Sequence, residues 1–132
     1  MMDYNTTRDY LLGRPEAAED FPFYPDVAVF KICGKMFATL SMDKADDGTP
    51  VPHMNLKCDP QEAQMLRDIF PAVKAGYHMN KRHWNTVILD GSVPDGEVQR
   101  MIDRSYGLVV KGLTRKQRQP LELKYSPEEL YR

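Results

Sequence analysis

The sequence predicts an α+β fold from three observations. Short apolar stretches at 27–33, 36–42, 51–58 and 85–89 have strand length and end at turn residues. Segments 3–12, 60–70 and 94–113 place apolar residues at helical spacing, each with a recognisable start or stop signal. The chain has 132 residues, of which 42% are hydrophobic, enough for one modest core. Residues 1–132 therefore read as a single domain.

The first helix, 3–12, stops at Gly13, and Pro15 confirms the stop. After an acidic connection, Phe21-Pro22-Phe23-Tyr24-Pro25 sets three aromatics between prolines. Pro22 and Pro25 oppose a central strand, so a rigid lid over the core edge is expected, with a ligand-binding aromatic strip as the alternative. Residues 27–33 and 36–42 form a hairpin turning at Gly34-Lys35. The polar run 43–50 invites comparison with a calcium loop but lacks its spacing and terminal glutamate, so a solvated loop is expected. Residues 51–58 give a third strand with His53 partly exposed.

Asp59-Pro60-Gln61-Glu62 is a helix start: Asp59 caps, Pro60 occupies a position where a missing N–H costs nothing, and Glu62 stands where a capping box needs it. Leu66, Ile69, Phe70 and Val73 share its apolar face, although Pro71 ends the regular helix before Val73. An edge strand is expected over 75–77 and a further strand over 85–89. The last long helix starts at Pro94 or Asp95, with Asp95 and Glu97 at its positive end. Val98, Met101, Ile102, Ser105, Val109 and Leu113 line one face, with Arg100, Asp103 and Arg104 off it, and Gly107 marks close approach to the sheet. Residues 113–120 read only as a basic run. Ser126-Pro127-Glu128-Glu129-Leu130 is a capped terminal turn.

Eighteen Lys and Arg against nineteen Asp and Glu leave a formal net charge of −1, so no global cationic field attracts nucleic acid or anionic lipid; any such role needs a local patch. Cys33 and Cys58 both fall in strand-like stretches and read as reduced core thiols, with a disulfide left open should the strands be adjacent. No segment reaches the roughly 20 apolar residues of a membrane span, and the N-terminus lacks a basic leader, so a cytoplasmic protein is expected. Asp26, Asp43, Glu62, Asp90 and Asp95 show no carboxylate pairing, and His53, His78 and His83 are too scattered for a zinc site. A Cys58–His nucleophile pair has no support beyond composition, and no phosphate loop or dinucleotide fingerprint occurs. No catalytic residue, cofactor or metal is assigned, and the sequence does not argue for an enzyme.

The informative stretch is Asn80-Lys81-Arg82-His83-Trp84, running into the strand at 85–89. Lys81 and Arg82 suit phosphates, Asn80 a base edge or backbone, and Trp84 an unpaired base. The plainer reading makes Asn80 a turn residue, the cations a solvated pair, His83 a loop hydrogen-bonder and Trp84 a core or core-rim anchor, and the core is where this tryptophan is expected. Lys57, Lys74, Arg104 and Lys111 extend a basic surface if folding gathers them.

Asn80-Lys81 with His83-Trp84, then Thr86-Val87, Leu89-Asp90-Gly91 and Pro94-Asp95, resembles the signature of the MmcQ/YjbR family, small bacterial proteins predicted to bind DNA. The resemblance extends more loosely from the first helix through Tyr106. It implies a compact two-layer domain, helices packed on one face of an antiparallel sheet, similar to frataxin-like CyaY proteins, with a double-wing pair of β elements near Asn80, Lys81, His83 and Trp84. Residues 113–132, with the cluster Arg115-Lys116-Gln117-Arg118, lie outside it as a C-terminal extension. Frataxin-like iron binding lacks its acidic ridge here, since the first helix region holds only Asp3 and Asp9. The expected function is non-enzymatic DNA binding through Asn80, Lys81, Arg82, His83 and Trp84, with a protein-interaction or adaptor domain as the alternative and small-ligand binding as a third. A monomer is the simplest expectation.

Overall fold

Asp3 starts the first helix: its carboxylate accepts the Thr6 amide at 2.8 Å, capping α1 (Tyr4–Leu12) before Gly13 closes the helix. The computed structural model describes residues 2–23 and 25–132, so Tyr24 of the aromatic segment lies outside the described residues. Beyond α1 come β1 (Ala18–Phe23), β2 (Val27–Ile32), β3 (Lys35–Lys44), β4 (Pro50–Lys57), α2 (Pro60–Ile69), β5 (Val73–Ala75) and β6 (Trp84–Ile88). The chain ends in α3 (Asp95–Lys111), α4 (Arg115–Lys124) and α5 (Pro127–Leu130). The strands form a six-stranded sheet in the order β1-β2-β3-β4-β6-β5, with every neighbouring pair antiparallel.

Strand alternation sorts the sheet into two faces. Phe30, Ala38 and Leu56 lie in one cross-strand row, with Leu40, Met54 and Val87 beside it, and all are buried beneath the helices. Ala63 and Leu66 of α2, Leu11 of α1, and Val98, Ile102 and Tyr106 of α3 complete this core. The opposite row runs Val29, Thr39, Asn55, Thr86, Lys74 from β2 to β5. A bulge in β3 opposes Met36 to Lys31 and Ala38 to Phe30, leaving Phe37 outside the pairing. Ser105 on α3 serves that site, donating its hydroxyl to the Phe37 carbonyl at 2.6 Å while accepting the Lys57 amide at 2.8 Å.

Two ionic knots join the helices. The Asp103 carboxylate on α3, 11% exposed, accepts the Tyr10 hydroxyl at 2.9 Å and the Arg14 guanidinium at 2.8 Å. Asp103 is thus drawn inward rather than left off the packed face as expected. Glu62 on α2 accepts Arg100 at 2.7 Å and Arg104 at 2.8 Å, both from α3. Its carboxylate is used there; the expected capping box is replaced by Asp59 alone, accepting the Gln61 and Glu62 amides.

Other expectations are corrected. The segment with Pro22 is β1, an edge strand rather than a lid, and the β1–β2 register breaks between Asp20 and Phe23, where Pro22 needs no ladder partner. The hairpin turns at Cys33-Gly34 instead of Gly34-Lys35: both have positive φ, 50° and 77°, the type I′ geometry that matches strand twist. Cys33 is consequently exposed, Cys58 is buried, and both are free thiols. Val73 belongs to β5, which covers 73–75 rather than 75–77, and Ile69 is exposed. Gly107 approaches the C-terminal turn, not the sheet: an added Cβ would sit 3.2 Å from the Leu130 carbonyl. The basic run contains α4, opened by a reciprocal Thr114–Gln117 capping box. Leu121 and Leu130 bury themselves in the same core, which anchors the tail.

Asp103→Ala strands Arg14 and the Tyr10 hydroxyl; a loss of about 2 to 3 kcal/mol in urea unfolding is expected, less than for a fully buried pair because Arg132 and solvent reach the site. For Glu62, burial pushes the carboxyl up, but the bonds from Arg100 and Arg104 outweigh it and hold the group below its ordinary value. A carboxyl depressed by folding adds stability above its unfolded value and loses it as pH falls through the folded one. Glu62→Gln should therefore cost about 1 kcal/mol near neutral pH, and the gap from the native chain should close as pH drops below about 4. Urea midpoints across that range check the sign.

Candidate nucleic-acid interface

The β5–β6 connection is shaped by its own hydrogen bonds. Gly76 donates its amide to the Trp84 carbonyl at 2.9 Å, and a Cβ at Gly76 would lie only 2.8 Å from that of Trp84, so glycine is what lets the two backbones approach. The Tyr77 amide donates to the Thr86 hydroxyl at 3.0 Å. Asn80 closes the loop: its side-chain carbonyl accepts the Arg82 amide at 3.0 Å, and its backbone carbonyl accepts Trp84 at 3.0 Å and His83 at 3.2 Å. The Lys81 ammonium donates to the Gly76 carbonyl at 3.0 Å. The His83 carbonyl accepts the Cys58 amide at 2.7 Å, fastening the loop to the end of β4.

Trp84 stands opposite Lys57 in the sheet. Its neighbour Asn85 is buried and donates its side-chain amide to the Ala63 carbonyl of α2, which fixes that residue on the helix side. Alternation then turns Trp84 to the open face, where it is half-buried and outside the core cluster. The core placement expected for this tryptophan is overturned, because the strand register assigns the inward position to Asn85.

Lys81, Arg82 and His83 are exposed beside it, and Lys74 faces Thr86 on the same side of the sheet. The cations divide into two populations. Arg8, Arg14, Lys31, Arg100, Arg104, Arg118, Lys124 and Arg132 all lie within 4 Å of a carboxylate. Among the described residues no ion pair engages Lys57, Lys74, Lys81 or Arg82, nor, elsewhere on the chain, Lys35, Lys44, Arg67, Lys111, Arg115 or Lys116. Folding thus brings Lys57 and Lys74 to the motif, as the sequence allowed, whereas Arg104 is neutralised by Glu62 and Lys111 lies over the Tyr131 ring.

The nucleophile reading finds no help in the geometry. Burial pushes the Cys58 thiol up to about 11, where little thiolate exists near neutrality. His53 turns a ring nitrogen to the Val51 carbonyl, and His78 stacks against Tyr77 with centroids 4.0 Å apart. Sequence reading missed Thr39, Ser41 and Asn55 as members of the open face; the signal was their alternation with buried Ala38, Leu40, Met54 and Leu56.

Known proteins resemble this chain in sequence and fold. YbdF of Escherichia coli O157:H7 is 36% identical over 113 residues, covering 86% of this chain and 88% of its own. YjbR of Escherichia coli K12 is 40% identical over 70 residues, or 53% of this chain and 59% of the relative. Among solved structures, Deinococcus radiodurans protein DR2400, with domain DUF419, superposes with TM-score 0.77 at 35% identity over 92% of this chain and 89% of that one. A Pseudomonas syringae protein gives 0.73 at 31% identity, covering 81% and 98%. The YjbR family model matches residues 12–108, most of the chain and the whole sheet from β1 to β6, and the chain belongs to the YjbR family.

Proposed function

We propose that this chain binds DNA along the β4–β6–β5 end of its open face. Lys81 and Arg82 contact phosphates, Lys57 and Lys74 extend the track, and Trp84 stacks on an unpaired base. The observation that carries this reading is a local cluster: in a chain of net charge −1, Lys57, Lys74, Lys81 and Arg82, none of them in an ion pair among the described residues, gather around a half-exposed Trp84 on one face of the sheet. An unpaired cation gives up less on meeting a phosphate than one already bonded to Glu62. Asn80 acts through the loop it closes, and its amide nitrogen and the exposed His83 ring supply further hydrogen-bonding groups. In the same reading the sheet is CyaY-like, and its projecting β elements form the double wing. Residues 1–132 act as one domain, with 113–132 an extension to the DNA-binding part. The protein works in the cytoplasm, one chain sufficing.

A protein-interaction role is favoured by a separate feature, the exposed Phe21 and Phe23 on edge strand β1, at the far edge of the sheet from Trp84. The test is anisotropy of labelled single-stranded and duplex DNA across a salt series. Native binding should weaken with salt, and Lys81→Ala/Arg82→Ala should reduce the log–log salt slope by about 1.5 to 2, as expected for two lost phosphate contacts. Absence of native binding at low salt would leave the protein-partner reading in its place. Trp84→Ala should cost no more than about 1.5 kcal/mol in thermal unfolding, short of the roughly 3 to 5 kcal/mol of a fully buried aromatic, while weakening single-strand binding more than duplex binding.

A further inference from the structure

The open face carries a second feature, which borders the Trp84 loop through Tyr77, His78 and Met79. A groove of about 730 Å³ runs over β2, β3 and β4, within the size range of small-molecule sites. Its floor is Val27, Met36, Thr39, Ser41 and Asn55; Phe23 rises on one side, and Tyr77, His78 and Met79 on the other. Phe23 and Tyr77 are 67% and 64% exposed and, with Met42, give the groove an exposed apolar rim. The Tyr77 side is held in place: its amide is tied to Thr86, and His78, at φ 57°, turns its ring against the tyrosine. Thioethers of Met36, Met42 and Met79 make the lining adaptable to a flat ring.

The charge in this groove has one sign. Asp26 and Asp43 line it, and no lysine or arginine does. Asp26 has no side-chain hydrogen bond or ion pair among the described residues, and Asp43 accepts only the neighbouring Lys44 amide. The floor adds the Ser41 hydroxyl and the Asn55 amide nitrogen, whose own carbonyl is taken by Thr86. Lys74 and His53 line a smaller continuation of about 250 Å³ toward β5 on the same face, which shares Ser41, Asp43, Asn55 and Tyr77 with the groove.

We propose that this groove is a binding site for a small planar aromatic cation, its ring between Phe23 and Tyr77 and its positive charge against Asp26 and Asp43. Aromatic faces favour a cation electrostatically, and the paired carboxylates exclude phosphates and other anions. The site is independent of the DNA reading: its acidic lining would repel a nucleic-acid backbone, and its residues do not include Lys81, Arg82 or Trp84.

The probe is berberine, a planar cation whose fluorescence rises on leaving water, with the anion 1-anilinonaphthalene-8-sulfonate as its counterpart, both added to nucleic-acid-free protein. Saturable one-to-one berberine binding is expected, at least tenfold tighter than the anion. Asp26→Asn/Asp43→Asn should weaken berberine threefold or more with an unchanged melting temperature, and Ser41→Trp, which fills the floor, should abolish it. DNA affinity of the double asparagine variant should not fall. No saturable berberine signal, anion binding of comparable strength, or a loss under threefold in the double variant would overturn the proposal. Should Ser41→Trp fail to fold, the double asparagine variant decides alone.

Discussion

A six-stranded sheet with its helices on one side obliges every strand to serve two environments at once. Residues such as Phe30, Leu40, Met54 and Val87 must be apolar and closely packed because α1, α2 and α3 cover them. Their sequence neighbours Val29, Thr39, Ser41, Asn55 and Thr86 point the other way, free of the helix layer. Their polar groups need only satisfy one another, as Thr86 and Asn55 do, or remain available. The inward register is locked by Ser105, which serves the Phe37 carbonyl at the β3 bulge and the Lys57 amide at the end of β4. A one-residue slip in β6 would exchange Asn85 and Trp84 between faces, so the position of the tryptophan depends on that register.

This constraint also explains how a nearly neutral chain acquires a polar surface in the electrical sense. On the helix side, Glu62 and Asp103 gather Arg100, Arg104 and Arg14, cancelling charge where it is partly buried and where leaving it unpaired would be costly. On the open side no such demand operates. The β4–β6–β5 end keeps Lys57, Lys74, Lys81 and Arg82, while Asp26 and Asp43 sit over the β2–β3 end. One face thus carries two unlike regions: a cationic, tryptophan-bearing end and an acidic, aromatic-walled groove whose floor includes Thr39, Ser41 and Asn55.

Much of this was legible in the sequence. The Asp59-Pro60 start of α2, the helical stripe of α3 and the 27–42 hairpin follow from local rules of capping, periodicity and turn chemistry, although the hairpin turns one residue earlier, at Cys33-Gly34, and Glu62 serves Arg100 and Arg104 instead of a capping box. The misses share a physical origin. Trp84 was expected inside because large aromatics usually are, yet its side is set by long-range pairing with Lys57, which local pattern does not encode. Pro71 ends the helix before Val73 as read, but the edge strand captured by β6 begins at Val73, two residues earlier than expected. The segment holding α4 carried a Thr114–Gln117 capping box in plain view, hidden by Pro120 and by its run of charge. The groove was invisible because it is assembled from β2, β3, β4 and two loops, no one of which is unusual.

The most direct test of the open-face account uses the single tryptophan of the chain as its own reporter. Trp84 emission should be accessible to acrylamide in the free protein and should be quenched saturably by a single-stranded oligonucleotide, with salt reversing the effect. Blue-shifted emission shielded from acrylamide and indifferent to the oligonucleotide would place Trp84 in the core and contradict the account.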